Sequence, residues 1–224
     1  MYFSSSFGSR RRGRRIDEVP NSTNACSLVA SVKNSNELKF NMKNWTATLD
    51  DITKQCLTEF GNLTSEQLNW KPNSNTWSIA QNLDHLIVVN ETYYPVLASI
   101  KAGTYKTPFI AKIGFMVSFL GKTVLKAVQP DREKKMKTFP IWEPATSNVI
   151  GDILKRFETH QNELIQKIEE AKGLVEKDVV ISSPANRNIV YKLATAFDII
   201  VSHEQRHIEQ SKELLKLMKN NTSH

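Results

Sequence analysis

Apolar positions recur three or four residues apart through most of the chain, and the stripes they draw predict four long helices. Trp45, Leu49, Ile52, Cys56 and Phe60 make the first stripe, which Gly61 ends. A helical turn is expected over 64–70 and a loop at Lys71-Pro72-Asn73. The second helix opens at Ser78, which with Gln81 forms a capping box after Trp77. Its apolar face runs Ile79, Leu83, Leu86, Asn90, Tyr93 and Leu97, with His85 beside that face and Pro95 placed to kink it late. The third helix, over 147–172, carries Ile150, Ile153, Phe157, His160, Leu164 and Ile168 on one stripe. A loop around Pro184 is expected over 182–188. A fourth helix over 189–219 then carries Leu193, Ala196, Ile200, His203, His207, Gln210, Leu214 and Leu217.

Residues 101–145 form an insertion between the second and third helices. Its stretch from Phe109 to Val128 is strongly apolar and predicted helical, interrupted by Gly114 and Gly121. A segment covering the core is the preferred reading, with a pocket wall and a membrane-surface helix as the others. Phe139-Pro140-Ile141-Trp142-Glu143-Pro144 is a proline-bounded aromatic loop suited to a pocket mouth or a packed connection. The pattern as a whole predicts an all-α fold, an antiparallel four-helix bundle with one long helical crossover insertion. Residues 1–41 show no sustained period. They are expected to be a disordered N-terminal extension, or the product of a start codon placed too early, with Met42 the natural first residue of a domain over 42–220.

Composition narrows this little. A chain of 224 residues with 40% hydrophobic content is long enough for one globular core. The net charge is +7, of which residues 1–41 hold seven Lys/Arg against three Asp/Glu. The basic character therefore belongs largely to the tail, and no nucleic-acid face is expected. Cys26 and Cys56 form no CxxC, which suits a reduced, cytoplasmic setting. No apolar run approaches the ~18 residues a membrane span needs. The arginines near the N-terminus lack the apolar core of a secretory signal, and Asp17 and Glu18 count against a transit peptide.

The chemistry gathers on the fourth helix. His203 and His207 sit one turn apart on a stripe that should face the core. Two unpaired imidazoles there would be costly, whereas a shared cation uses both lone pairs. His203-Glu204-x-x-His207 spells the zincin protease motif. The extended form of that motif asks for Gly and His where this chain has Gln210 and Glu213, and the helical surroundings supply no substrate-binding strand. A third ligand should therefore come from upstream, where His85 and His160 compete.

Trp77-Ser78-Ile79-Ala80-Gln81-x-x-x-His85-Leu86, the lysine-rich stretch into Phe139-Pro140 and Pro144, and His203-x-x-x-His207 occur here in a set order and separation. Over about 42–219 the chain thereby resembles the DinB-like superfamily, the metal-binding four-helix bundles of DinB/YfiT type. The resemblance implies an often dimeric bundle holding a divalent metal, commonly zinc or nickel, on three histidines. By position these are His85, His203 and His207, which ranks His85 above His160. It also implies thiol-dependent transferases and isomerases using low-molecular-weight thiols, although many members have no assigned reaction. The function expected is a metal-dependent S-transferase or hydrolase acting on a small molecule at an open three-His site, with no catalytic residue named. The alternative is a non-catalytic, stress-associated metal-binding bundle. Three neutral imidazoles leave a position open on such an ion, as catalytic rather than structural sites do. Asn82, Glu91 and Gln210 are the polar neighbours placed to orient ligands, and Glu204 lies about 100° off the ligand stripe.

Overall fold

The computed structural model describes residues 44–130, 138–144, 147–149 and 151–221, so the expected tail over 1–41 lies outside the described residues. Helix α1 covers residues 44–60, and its predicted stripe is buried throughout, from Trp45 to Phe60. The Trp45 indole N–H donates to Asp198 at 2.7 Å. Short helix α2 (Ser65–Asn69) follows, closed at its N-terminus by a Thr64/Gln67 capping box. Helix α3 (Ile79–Glu91) begins at the predicted box: Ser78 Oγ accepts from the Gln81 N–H at 3.1 Å, and Gln81 Oε1 accepts from the Ser78 N–H at 3.1 Å. The kink expected at Pro95 is a break just before it. Helix α4 (Tyr94–Lys101) restarts with the proline in its first turn, where a missing N–H costs no hydrogen bond.

Within the insertion, a 3-10 turn (Phe109–Lys112) leads into helix α5 (Gly114–Val128). A second 3-10 turn (Pro140–Trp142) lies in the aromatic loop. Helix α6 (Ile153–Glu170) starts six residues later than expected. Gly151 takes a φ of 89°, which breaks the chain's direction, and Asp152 caps the helix by accepting from the Lys155 N–H. Helix α7 (Lys172–Glu176) is a single extra turn.

The expectation fails between the third and fourth helices. Where a loop running into a helix was expected, strands β1 (Val180–Ser183) and β2 (Asn186–Lys192) form an antiparallel hairpin with Ile181 opposite Tyr191 and Ser182 opposite Val190. Helix α8 (Leu193–Asn221) begins only after it. The β-branched residues flanking the turn, Val179-Val180-Ile181 and Ile189-Val190, favour strand over helix. Ile181 and Tyr191, with Val179 and Ile189 beside them, bury one face of the hairpin against the bundle.

Cross-links fix the helix directions. Asp84–Arg156 at 3.0 Å and Lys101–Glu170 at 2.6 Å advance together along both chains, so α3–α4 and α6 run parallel. Asn82–His207 and His85–His203 run in opposite senses, so α8 is antiparallel to α3. A parallel pair cannot be joined by a short turn, which is why the long crossover through α5 exists. The result is an all-α four-helix bundle of α1, α3–α4, α6 and α8, with a small hairpin added.

The core falls into two apolar clusters. One contains Leu49, Tyr93, Leu164 and Phe197, and the other Ile52, Leu86, Phe157 and Ile208. Between them, at the same level of the bundle, Asn90 of α3, His160 and Gln161 of α6, and Glu204 of α8 make a buried polar layer.

Candidate metal centre

The site is built from two helices and one loop. Spacing on α8 stacks His203 and His207, and the antiparallel packing of α3 places His85 opposite them. His85 Nε2 lies 3.4 Å from His203 Nε2, and His207 Nε2 lies 3.1 Å from the same atom. All three ligand atoms fall within 4.8 Å of one another. His85 and His207 are buried, and His203 is half-buried.

The outward ring nitrogens explain why the Nε2 atoms converge. His85 Nδ1 donates to the Trp142 carbonyl at 2.6 Å, and His207 Nδ1 donates to Asn82 Oδ1 at 2.7 Å. Asn82 is itself held by its amide, which donates to the Ser78 carbonyl at 2.8 Å. A carbonyl can only accept, so these two bonds place the protons on Nδ1 and leave bare lone pairs on Nε2. Trp77 packs over the group, with its ring 5.9 Å from His207 and nearly parallel to it, and 4.8 Å from His85.

Burial keeps these rings neutral. It pushes His85 down to about 4 and His203 to about 3, and holds His207 well below the ordinary imidazole value. A proton on His203 Nε2 satisfies only one of the two neighbouring lone pairs, whereas a cation between the rings would engage all three nitrogens. Nitrogens bound at ~2.05 Å in tetrahedral angles stand about 3.3 Å apart, and the observed 3.1 and 3.4 Å bracket that spacing. Two of the three separations thus match a tetrahedral site and the third lies within 4.8 Å, so the group could hold a divalent metal ion; no fourth His, Cys, Asp or Glu joins it among the described residues.

The rival third ligand lies elsewhere. His160 Nε2 accepts from the Asn90 amide at 3.3 Å, its Nδ1 faces the Tyr94 hydroxyl at 3.5 Å, and Glu91 stands 3.9 Å away. Glu204 points into the same layer, accepting from Asn90 at 2.7 Å and Gln161 at 2.6 Å. Its burial lifts the carboxyl to about 7 against those two hydrogen bonds. Of the three polar neighbours expected to orient ligands, only Asn82 bonds a ring of the group among the described residues, and Glu91 turns to His160 instead. Sequence reasoning did not find the roles of Trp77 and the Trp142 carbonyl. A stacking ring beside a helix cap and a backbone acceptor leave no residue-type signal.

The family model for the DinB superfamily matches residues 48–211, which is most of the bundle. The chain belongs to the DinB superfamily. It is also similar to uncharacterized protein YuaE of Bacillus subtilis (strain 168), with 29% identity over 159 residues, covering 70% of this chain and 88% of that one. No solved structure matches the chain. No described helix of this DinB-superfamily protein is long and apolar enough to cross a membrane.

Proposed function

We propose that His85, His203 and His207 hold one divalent ion, zinc or nickel, and that the protein is a metal-dependent S-transferase or hydrolase. The carrying observation is the convergence of three neutral Nε2 atoms at 3.1 and 3.4 Å without a fourth ionisable donor among the described residues. Such a donor set would leave a bound divalent ion a free coordination position.

The bound ion would supply Lewis acidity, lowering the pKa of a thiol or water that takes the open position. The chain's own residues do the rest. Asn82 and the Trp142 carbonyl fix ring orientation, and Trp77 shields two of the imidazoles from water. In the transferase reading, a low-molecular-weight thiol forms a C–S bond to an electrophilic carbon. The thiol proton passes to solvent, and the leaving group departs with the electron pair of the broken bond. In the hydrolase reading water replaces the thiol.

The test is metal content by mass spectrometry on untagged protein purified without chelator, beside His85→Ala. Turnover of electrophiles with cellular thiols, and of simple esters and amides, follows on the metallated protein. A single ion per chain in the parent, absent from the variant, together with turnover, supports the reading. Metal without any turnover leaves a non-catalytic metal-binding bundle, and metal retained by His85→Ala removes His85 from the site.

A further inference from the structure

The crossover helix α5 packs on β2 and α8 through one face only. Val117 and Gly121 are buried there, and Arg206 of α8 donates to the Ala127 and Gln129 carbonyls at the helix's end. The opposite face carries Phe115, Phe119, Lys122 and Lys126, spaced four, three and four apart and therefore in one outward row. Phe115 is 73% exposed and Phe119 61%, and Phe109 on the preceding turn is 76% exposed. Exposed aromatic rows of this kind mark a contact surface.

Charge identifies the partner. Residues 101–130 contain five lysines and no Asp or Glu, and 101–137 contain nine Lys/Arg against two Asp/Glu. The rest of the chain after residue 41 has 14 Lys/Arg against 18 Asp/Glu. The crossover is thus a basic island on an acidic bundle.

We propose that the outward face of α5 docks on an anionic lipid surface. The phenyl rings enter the boundary between headgroups and acyl chains, and Lys122 and Lys126 lay their alkyl stems along it and place their ammonium groups among the anionic headgroups. At 15 residues α5 lies on such a surface rather than spanning it. Pairing of two copies through this row would bury the phenylalanines but set lysine against lysine.

The experiment is co-sedimentation of the full chain with phosphatidylcholine vesicles, with and without phosphatidylglycerol, at low and high salt. The parent should pellet with the anionic vesicles, weakly with the neutral ones, and less at high salt. Phe115→Ser/Phe119→Ser and Lys122→Glu/Lys126→Glu should each bind about 10- to 30-fold more weakly. Unchanged circular dichroism and thermal melting would show that both variants fold. The proposal is overturned if the parent stays in solution with both vesicle types, if the variants bind like the parent, or if an oligonucleotide displaces the vesicles. It is also overturned if the serine variant converts a dimer to monomer while the parent ignores lipid. None of these readouts depends on the metal centre.

Discussion

His203 and His207 are visible in the sequence because two polar rings interrupt an apolar helical stripe at a spacing that stacks them. The third partner is not decided by spacing. His85 and His160 both lie on or beside apolar faces, and only the antiparallel register of α3 against α8 sets His85 at the shared Nε2 point. Asn82 is the residue on which this arrangement most depends, since it is the side-chain acceptor for His207 Nδ1. Asn82→Ala should keep the fold and weaken metal binding about 10- to 100-fold, as read by chelator competition, and Asn82→Asp should retain more affinity than Ala. The buried layer next to the site gives a pH prediction. Burial lowers His160 to about 4 from 6.5, so between these values the unfolded chain binds a proton that the folded protein refuses. Stability is full above pH 6.5 and is lost as pH falls toward 4, by about 3 kcal/mol from this group. Glu204, lifted to about 7 from 4.5, acts with the opposite sign, since its contribution is present below 4.5 and lost as pH rises through 7. Acid titrations of the melting temperature should therefore be shallower for His160→Gln than for the parent, and steeper for Glu204→Gln.

At the scale of elements, the caps and stripes were legible where local chemistry decides. The Ser78/Gln81 box opens α3 where the sequence places it, and every predicted inward residue of α1 is buried. The hairpin was not legible because Ile189, Val190 and Tyr191 continue smoothly into the period of α8, and a short apolar run reads equally as helix or strand. What decides it is tertiary: β1 supplies the pairing partner, and α5 packs on β2. Gly121 shows how close that packing is. A Cβ there would stand 3.1 Å from both Thr195 Cγ2 and Tyr191 Cβ, so a glycine that looks like an interruption in a helix is a contact point. Gly121→Val should cost about 1–3 kcal/mol by overpacking, seen as a lower denaturation midpoint with an unchanged slope, whereas substitution at Gly114, where a Cβ meets nothing within 4 Å, should leave the midpoint nearly unmoved.

At the scale of the whole molecule, the net charge of +7 conceals its own distribution. Dividing the chain only into tail and remainder hides a basic crossover set on an acidic bundle. The same scale holds the sharpest contrast between a bundle that binds metal and one that only carries histidines. Without a cation, the cluster of three imidazoles within 4.8 Å leaves at least one buried Nε2 lone pair without a donor, which opposes folding. With one, binding to the folded state alone adds about 4 kcal/mol at a free metal concentration a thousandfold above the dissociation constant, or a rise in melting temperature on the order of 10 °C for a chain of this size. Replacing His203 and His207 together by Leu removes both effects. Metal-free, the double variant should melt above the metal-free parent, because leucine suits an inward helical stripe better than imidazoles whose converging Nε2 atoms lack their cation. In added zinc or nickel the order should reverse, with the parent rising and the variant unmoved. Thermal denaturation of both proteins in chelator and in metal checks this. If the parent does not move, the three rings converge without holding an ion, and the reading of this bundle as a metal-dependent enzyme falls with them.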